Sequence, residues 1–88
     1  MVKAISILGS SGSIGRQTAA VAQHLQIPVK AISVRKDIAR AEEQARLFQP
    51  DLVAVYDEDA AAVLRERIAD LKIPVLSGDE GLIAAATV

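Results

Sequence analysis

Short apolar runs alternate with longer segments of helical period along the chain. The apolar runs are rich in valine, isoleucine and leucine, and they occupy residues 4–8, 29–34, 52–56 and 74–76. Continuous runs of this kind are typical of strands that are covered on both faces. Their alternation with helical segments predicts a layered α/β domain built on a parallel sheet.

The first two helices are predicted from apolar periodicity and from signals at their ends. A helix from Ser13 to about Leu25 is followed by Pro28, which ends the connection to the next strand. Its predicted inward face consists of Ile14, Thr18, Val21, Ala22 and Leu25. The second helix is predicted with Asp37 as its N-cap and Pro50 beyond its end. Its predicted inward residues are Ile38, Ala41, Ala45 and Phe48.

Acidic residues precede two further helical segments. Asp57 or Asp59 is predicted to cap a third helix, and Asp79 is predicted to cap a fourth. The predicted inward residues of the third helix are Val63, Leu64, Ile68 and Leu71. Its charged residues Arg65, Glu66 and Asp70 are expected to face water.

Composition narrows the classes of protein to which the chain can belong. Its 88 residues, 51% of them hydrophobic, suffice for one small globular domain. The absence of cysteine excludes a disulfide scaffold, a cysteine-based zinc site and a thiol nucleophile. A net charge of −1 and 2% aromatic residues argue against nucleic acid and anionic membranes as partners. The first apolar run ends at Leu8, too early for a targeting or membrane segment, so a cytoplasmic location is expected.

A glycine-rich loop follows the first predicted strand and opens the first predicted helix. Gly9, Gly12 and Gly15 have G-x-x-G-x-x-G spacing, and Ser11 and Ser13 add hydroxyl groups. Glycines permit a tight turn and the close approach of a phosphate to backbone N–H groups at a helix start. The loop lacks the lysine and the spacing of a Walker-type site. A bound dinucleotide is therefore predicted, with a purely structural turn or another phosphorylated ligand as the alternatives.

The end of the second predicted strand bears on the choice of cofactor. An acidic residue at this point accepts hydrogen bonds from the ribose of NAD and repels a 2′-phosphate. Here Ser33, Arg35 and Lys36 precede the acidic Asp37, which favours NADP(H). In the competing interpretation, Arg35 and Lys36 are solvated loop residues and Asp37 caps a helix.

Other candidate residues are expected to have structural roles. His24 lies near a predicted helix end, where an exposed side chain is expected rather than a catalytic base. The acidic run at 57–59 is interpreted as a capping cluster rather than a metal site. Tyr56 and Phe48 are interpreted as packing residues, and Glu42 and Arg46 are predicted to form a surface pair.

At these motifs the sequence closely resembles the N-terminal region of the 1-deoxy-D-xylulose 5-phosphate reductoisomerase family. The similar stretches are AISILGSSGSIGRQT (4–18), EQA (43–45), PDLVAV (50–55) and VLSGDEGL (75–82). The resemblance covers essentially the whole chain but a minor part of the family's length. It implies an NADPH-dependent oxidoreductase of non-mevalonate isoprenoid biosynthesis. This enzyme isomerises and reduces 1-deoxy-D-xylulose 5-phosphate to 2-C-methyl-D-erythritol 4-phosphate with Mg²⁺ or Mn²⁺.

The resemblance also implies which residues bind the cofactor. Ser11, Gly12, Ser13 and Ile14 match the family's cofactor loop, in which threonine often replaces Ser11. A second cofactor-binding segment is implied at Arg35, Lys36 and Asp37. The family usually has glycine and asparagine where this chain has Arg35 and Asp37, so the contacts of this segment with the cofactor are open.

The resemblance implies an incomplete protein and a Rossmann-like fold. Residues 1–88 are expected to form the N-terminal part of a doubly wound, NADPH-binding Rossmann-type domain with a parallel sheet and alternating helices. The catalytic and C-terminal domains would be absent, with the metal and substrate ligands beyond Val88. This chain would then contain no catalytic or metal-binding residue and would have no turnover alone. A sugar phosphate substrate and a homodimer are implied for the full-length enzyme.

Two other functions agree with a phosphate-binding loop on this fold. One is a regulatory module that binds a nucleotide or CoA, because the fold does not specify redox chemistry. The other is a different NADP-dependent dehydrogenase, similar to the semialdehyde dehydrogenases.

Overall fold

The computed structural model of the chain describes residues 4–9 and 12–87. Within these ranges, four strands alternate with four α-helices. The strands are β1 (Ile5–Ile7), β2 (Val29–Val34), β3 (Leu52–Val55) and β4 (Val75–Ser77). The helices are α1 (Ser13–Leu25), α2 (Ile38–Phe48), α3 (Glu58–Arg67) and α4 (Gly78–Thr87), with a 3₁₀ turn at Ala69–Leu71.

The strands form one parallel sheet in the order β1-β2-β3-β4. The predicted α/β fold with a parallel sheet and alternating helices is therefore confirmed. The predicted strand positions are correct within one residue at each end. Ala4 and Leu8 lie outside β1, Tyr56 lies beyond the end of β3, and β4 runs from Val75 to Ser77 rather than from Pro74 to Leu76.

Helices cover both faces of the sheet. On one face, small residues of α1 and α2 and larger residues of α3 pack on alternate strand residues, including Ile32, Val34, Val53 and Val55. On the opposite face, α4 packs on β2, β3 and β4 through small side chains, among them Ala31, Ala54 and Ala85. This two-sided cover explains why every residue of β3 is buried.

The inward face predicted for α1 is largely wrong. Ile14, Val21 and Leu25 are exposed, Thr18 is half-buried, and the buried residues are Gly15, Ala19 and Ala22. Both faces of the helix carry residues at helical spacing, so the pattern alone does not select between them. The small residues face the sheet because they let the helix axis lie close to it.

Two details of α3 and α4 also differ from the sequence prediction. Leu64 and Ile68 are buried as predicted, whereas Val63 is exposed and Leu71 is half-buried. Asp57, rather than Asp59, caps α3, and its carboxylate accepts a hydrogen bond from the Ala60 N–H at 2.9 Å. Asp79 does not precede α4 but lies within its first turn, because the helix already begins at Gly78. No helix in the described part of the chain is long and apolar enough to cross a membrane.

Candidate functional site

The glycine-rich turn lies at the carboxyl end of β1, at the same edge of the sheet as the ends of β2 and β3. Gly9 has a left-handed φ of 68°, which favours glycine. Its carbonyl accepts a hydrogen bond from the Gly12 N–H at 3.0 Å, and the Gly12 carbonyl accepts one from the Arg16 N–H at 2.8 Å. A Cβ on Gly12 would lie 3.4 Å from the Gly9 oxygen, which is van der Waals contact. Ser11 lies outside the described residues.

The start of α1 is open to an anion. Gly12 is its N-cap, and among the described residues no side chain caps this end and no acidic residue lies in its first turn. The N–H groups at the start of a helix have no partner within the helix and carry partial positive charge. Ser13 and Ile14, both predicted as cofactor-binding residues, form this exposed first turn. The arrangement suits a phosphate group approaching along the turn.

Ser33 connects this turn to the neighbouring strand. Its hydroxyl oxygen accepts a hydrogen bond from the Gly9 N–H at 2.9 Å, although the two residues lie 24 positions apart in sequence. Ser33 is buried, at 1% exposure. The sequence indicated Ser33 as a residue near the cofactor but did not predict this hydrogen bond, which depends on the pairing of β1 with β2.

A cavity of about 420 Å³ lies beside the turn and is lined by Gly9, Ser33, Val34, Arg35 and Tyr56. We call it the β2–β3 cavity. Its volume falls within the usual range for small-molecule sites. Tyr56, which the sequence suggested as a packing residue, is instead 46% exposed and forms part of this lining. The backbone of Tyr56 is nevertheless fixed: its N–H donates to the Val34 carbonyl at 3.0 Å, and its carbonyl accepts from the Gly78 N–H at 3.1 Å.

A second cavity, of about 470 Å³, also adjoins the turn. Its lining comes from β1, the turn and the start of α1, and includes Gly9, Gly12, Ser13 and Ile14. We call it the β1–α1 cavity. Gly9 lines both cavities, so an extended ligand placed over the turn would enter both of them.

The three residues predicted after β2 occupy different positions. Arg35 is exposed and lines the β2–β3 cavity. Lys36 is exposed outside that lining, and its carbonyl accepts a hydrogen bond from the Ile38 N–H at 2.9 Å. Asp37 caps α2, because its carboxylate accepts a hydrogen bond from the Arg40 N–H at 3.1 Å. The structure thus brings Arg35 and Gly12 to one edge of the sheet and gives Asp37 a helix-capping role.

The remaining candidates lie away from this edge or within helix ends. His24 is exposed in the last turn of α1, and Phe48 packs against the core as predicted. Glu58 and Asp59 lie in the first turn of α3, where negative charge is favourable. In residues 4–9 and 12–87, no group of three His, Cys, Asp or Glu side chains has an arrangement suited to a metal ion.

Comparison with known proteins identifies the family. The family model described as 1-deoxy-D-xylulose 5-phosphate reductoisomerase matches residues 5–88. The reductoisomerase of Acetivibrio thermocellus is 50% identical over 88 residues, which are 100% of this chain and 23% of that protein. The reductoisomerase of Lachnoclostridium phytofermentans is 46% identical over 87 residues, or 98% of this chain and 22% of that protein. The chain therefore spans less than a quarter of the length of these relatives.

Solved structures agree in fold. A reductoisomerase from Zymomonas mobilis in complex with NADPH superposes with a TM-score of 0.92 at 20% identity, over 100% of this chain and 24% of that chain. A second reductoisomerase, in complex with NADPH, fosmidomycin and magnesium, has a TM-score of 0.87 at 29% identity, over 97% of this chain and 22% of that one. The chain belongs to the 1-deoxy-D-xylulose 5-phosphate reductoisomerase family.

Proposed function

We propose that this chain is the NADPH-binding part of an enzyme that isomerises and reduces 1-deoxy-D-xylulose 5-phosphate to 2-C-methyl-D-erythritol 4-phosphate. The observation that carries the proposal is the start of α1, which no side chain of the described residues caps, near a cavity lined in part by Arg35. Family membership supports it, as do the complexes of related proteins with NADPH.

The turn would hold the pyrophosphate of the cofactor. The N–H groups at the start of α1 point along the helix axis, and Gly12 places no side chain at the N-cap position. We assign this role to Ser11, Gly12, Ser13 and Ile14. The shared position of Gly9 supports one dinucleotide lying across the turn, with its adenosine in the β2–β3 cavity and its nicotinamide half towards the β1–α1 cavity.

The residues after β2 would select the phosphorylated cofactor. A guanidinium binds a phosphate through charge-assisted hydrogen bonds, and Arg35 is exposed at the cavity that we assign to adenosine. Lys36 adds a second positive charge nearby. Because its carboxylate caps α2, Asp37 would contribute little beyond its backbone and its negative charge.

Bound NADPH would supply the hydride for the reduction. The described residues do not fit a divalent metal, since no suitable cluster of ligands occurs among them, so the Mg²⁺ or Mn²⁺ expected for the full-length enzyme would need ligands from elsewhere. The sugar phosphate substrate, the homodimer and the cytoplasmic location remain proposals. A CoA-binding module or a different dehydrogenase is not favoured by the family match.

Titration of the intact protein with NADPH, NADH and CoA tests the proposal. We expect NADPH to bind most tightly. Replacement Arg35→Ala should weaken NADPH binding by about 1–3 kcal/mol, because it removes charge-assisted hydrogen bonds to the 2′-phosphate. NADH, which lacks this phosphate, should bind as before.

Lys30→Ala is the matched control for this experiment. It removes one exposed positive charge from the opposite end of the same strand. It should leave both affinities unchanged. Equal weakening of NADPH and NADH binding by Arg35→Ala would contradict the assigned role of Arg35, and tighter binding of CoA than of NADPH would favour the regulatory module.

A further inference from the structure

We propose that Ser33 is a positioning residue, whose hydroxyl fixes the pyrophosphate-binding turn relative to the part of β2 that precedes Arg35. The proposal rests on the proposed function, because it concerns how the same site is held in shape. Ser33 would act through Gly9 and not through direct recognition of the 2′-phosphate.

The burial of this hydroxyl requires an explanation. Ser33 and Gln44 are the polar residues among the buried side chains of the described chain. Apolar residues, Ile32 and Val34, flank Ser33 in the fully buried part of β2. Burying a hydroxyl group is unfavourable unless it forms a hydrogen bond. The partner that the fold provides is the Gly9 N–H, at 2.9 Å.

This hydrogen bond acts where the backbone pairing of β1 ends. β1 has three residues, and its pairing with β2 is irregular between Ile5 and Ser6 and ends at the Ile7 and Ile32 pair. Gly9 lies two residues further on, outside the ladder. The Ser33 side chain therefore continues the connection between β1 and β2 after the backbone pairing has stopped.

Both polar groups of Gly9 are fixed as a result. Its N–H donates to Ser33, and its carbonyl accepts from the Gly12 N–H at 3.0 Å. Glycine can adopt many backbone conformations, and these two hydrogen bonds hold Gly9 in the one with a φ of 68°. Loss of the Ser33 hydroxyl would leave the Gly12 bond in place but release the turn from β2.

The connection also relates two parts of the proposed cofactor site. Ser33 and Arg35 are two residues apart along the chain, a distance of about 6–7 Å in extended backbone. Ser33 contacts the turn, and Arg35 lines the cavity that we assign to adenosine. Ser33 thus helps to set the distance between the groups that would bind the pyrophosphate and the 2′-phosphate.

The test compares Ser33→Thr with Ser33→Val in the intact protein. The two side chains have nearly the same shape and suit a strand, but only threonine retains the hydroxyl group. We measure affinities for NADPH, for NADH and for adenosine 2′-monophosphate, which has the 2′-phosphate but no pyrophosphate.

Ser33→Thr should bind all three ligands as the original protein does. Relative to Ser33→Thr, Ser33→Val should bind NADPH and NADH about three- to tenfold more weakly, by the same factor for both. Its affinity for adenosine 2′-monophosphate should be unchanged. Arg35→Ala provides the opposite pattern, with weaker NADPH and adenosine 2′-monophosphate binding and unchanged NADH binding.

Other results would overturn the assignment of Ser33. One is a lower melting temperature for Ser33→Val with unchanged NADPH affinity when folded, which would indicate a purely structural role. Another is equal loss of affinity for all three ligands, which would indicate general loosening of the site. Failure of the proposed function is a different result, in which the original protein itself does not bind NADPH.

Discussion

Gly81 lies where α4 packs closely on the sheet. Of the glycines whose surroundings are described, it would give an added Cβ the shortest contacts. A Cβ at this position would lie 3.0 Å from the carbonyl carbon and oxygen of Leu76 and 3.4 Å from the Cβ of Ala54. The first two atoms belong to the backbone of β4 and cannot move away as a flexible side chain can. Absence of a side chain at Gly81 is thus a condition for the packing of α4 on this face.

We expect Gly81→Ala to destabilise the protein, because overpacking at this contact costs about 1–3 kcal/mol. The higher helix propensity of alanine acts in the opposite direction and contributes about 1 kcal/mol. Urea denaturation of the variant measures the balance. Glu80→Ala, at an exposed position of the same helix, is the control and should change stability by less than about 0.5 kcal/mol. A more stable Gly81→Ala variant would show that the backbone of β4 yields at this contact.

For the residues at strand ends, the sequence predicted some roles correctly and not others. Asp37 as a helix cap followed from its place before an apolar period, because capping is a local interaction. Tyr56 was assigned to the strand and to packing because the residues that precede it are buried strand residues. The exposure of the first residue after a strand depends on the segments packed around it, and these cannot be read from the local sequence. The position of Tyr56 directly after a parallel strand could have indicated a place at a ligand site, because ligands bind at the carboxyl edge of such sheets.

At the scale of elements, Arg46 joins α2 to the segment after α3. Its guanidinium donates to both carboxylate oxygens of Asp70, at 2.9 and 3.2 Å, and to the Arg67 carbonyl at 3.0 Å. The predicted pair with Glu42 is also present, at 3.3 Å. Arg67 lies 3.7 Å from Glu42 and completes a small network. The sequence predicted only the pair within one helix, because the other contacts depend on how α2 and α3 pack.

This network makes stability depend on pH. The hydrogen bond from Arg46 lowers the pKa of Asp70 below its ordinary value of 3.8, with partial opposition from desolvation. The folded protein therefore holds the carboxylate in its charged form more strongly than the unfolded chain does. The stabilisation is present above about pH 4 and is lost as the pH falls through the lowered pKa.

We expect Asp70→Asn to be less stable than the original protein at neutral pH. The difference should be small, since the pair is exposed to solvent. It should shrink towards zero as the pH falls below the ordinary pKa of the carboxyl group. Thermal unfolding at several pH values measures it, with Asp51→Asn as the control at an exposed acidic residue outside the network. A difference that stays constant down to the most acidic conditions would contradict the electrostatic explanation.

Over the chain as a whole, the small net charge means that its attraction for the proposed anionic cofactor must be local. The chain carries 10 Lys and Arg residues against 11 Asp and Glu residues, so it provides no overall positive field. Arg35 and Lys36 instead bring two exposed positive charges to the carboxyl edge of the sheet. Interactions between exposed charges are screened by salt.

We therefore expect salt to weaken NADPH binding more than NADH binding. Between about 0.05 and 0.5 M NaCl, the preference of the intact protein for NADPH should fall severalfold. Arg35→Ala should reduce this salt dependence, because it removes a positive charge that the 2′-phosphate meets. Fluorescence titration of both cofactors across the salt series provides the measurement. Parallel salt curves for the two cofactors would argue against selection by exposed positive charges.

Local sequence patterns suffice to predict the order and type of the elements, the parallel sheet, the glycine turn at the start of α1 and the cap of α2. Each follows from interactions between residues close in sequence, or from a two-sided burial that leaves continuous apolar runs. These signals do not require knowledge of which elements meet.

Three features depend instead on packing between distant segments: the buried face of α1, the placement of the Tyr56 side chain and the hydrogen-bond partner of Ser33. The same packing places α4 on the face opposite to α1, α2 and α3. In each case the deciding contact joins segments far apart in the chain, such as Gly9 with Ser33 or Gly81 with β4. A periodic sequence offers several faces and partners of similar quality, and only the close packing of the assembled layers selects among them.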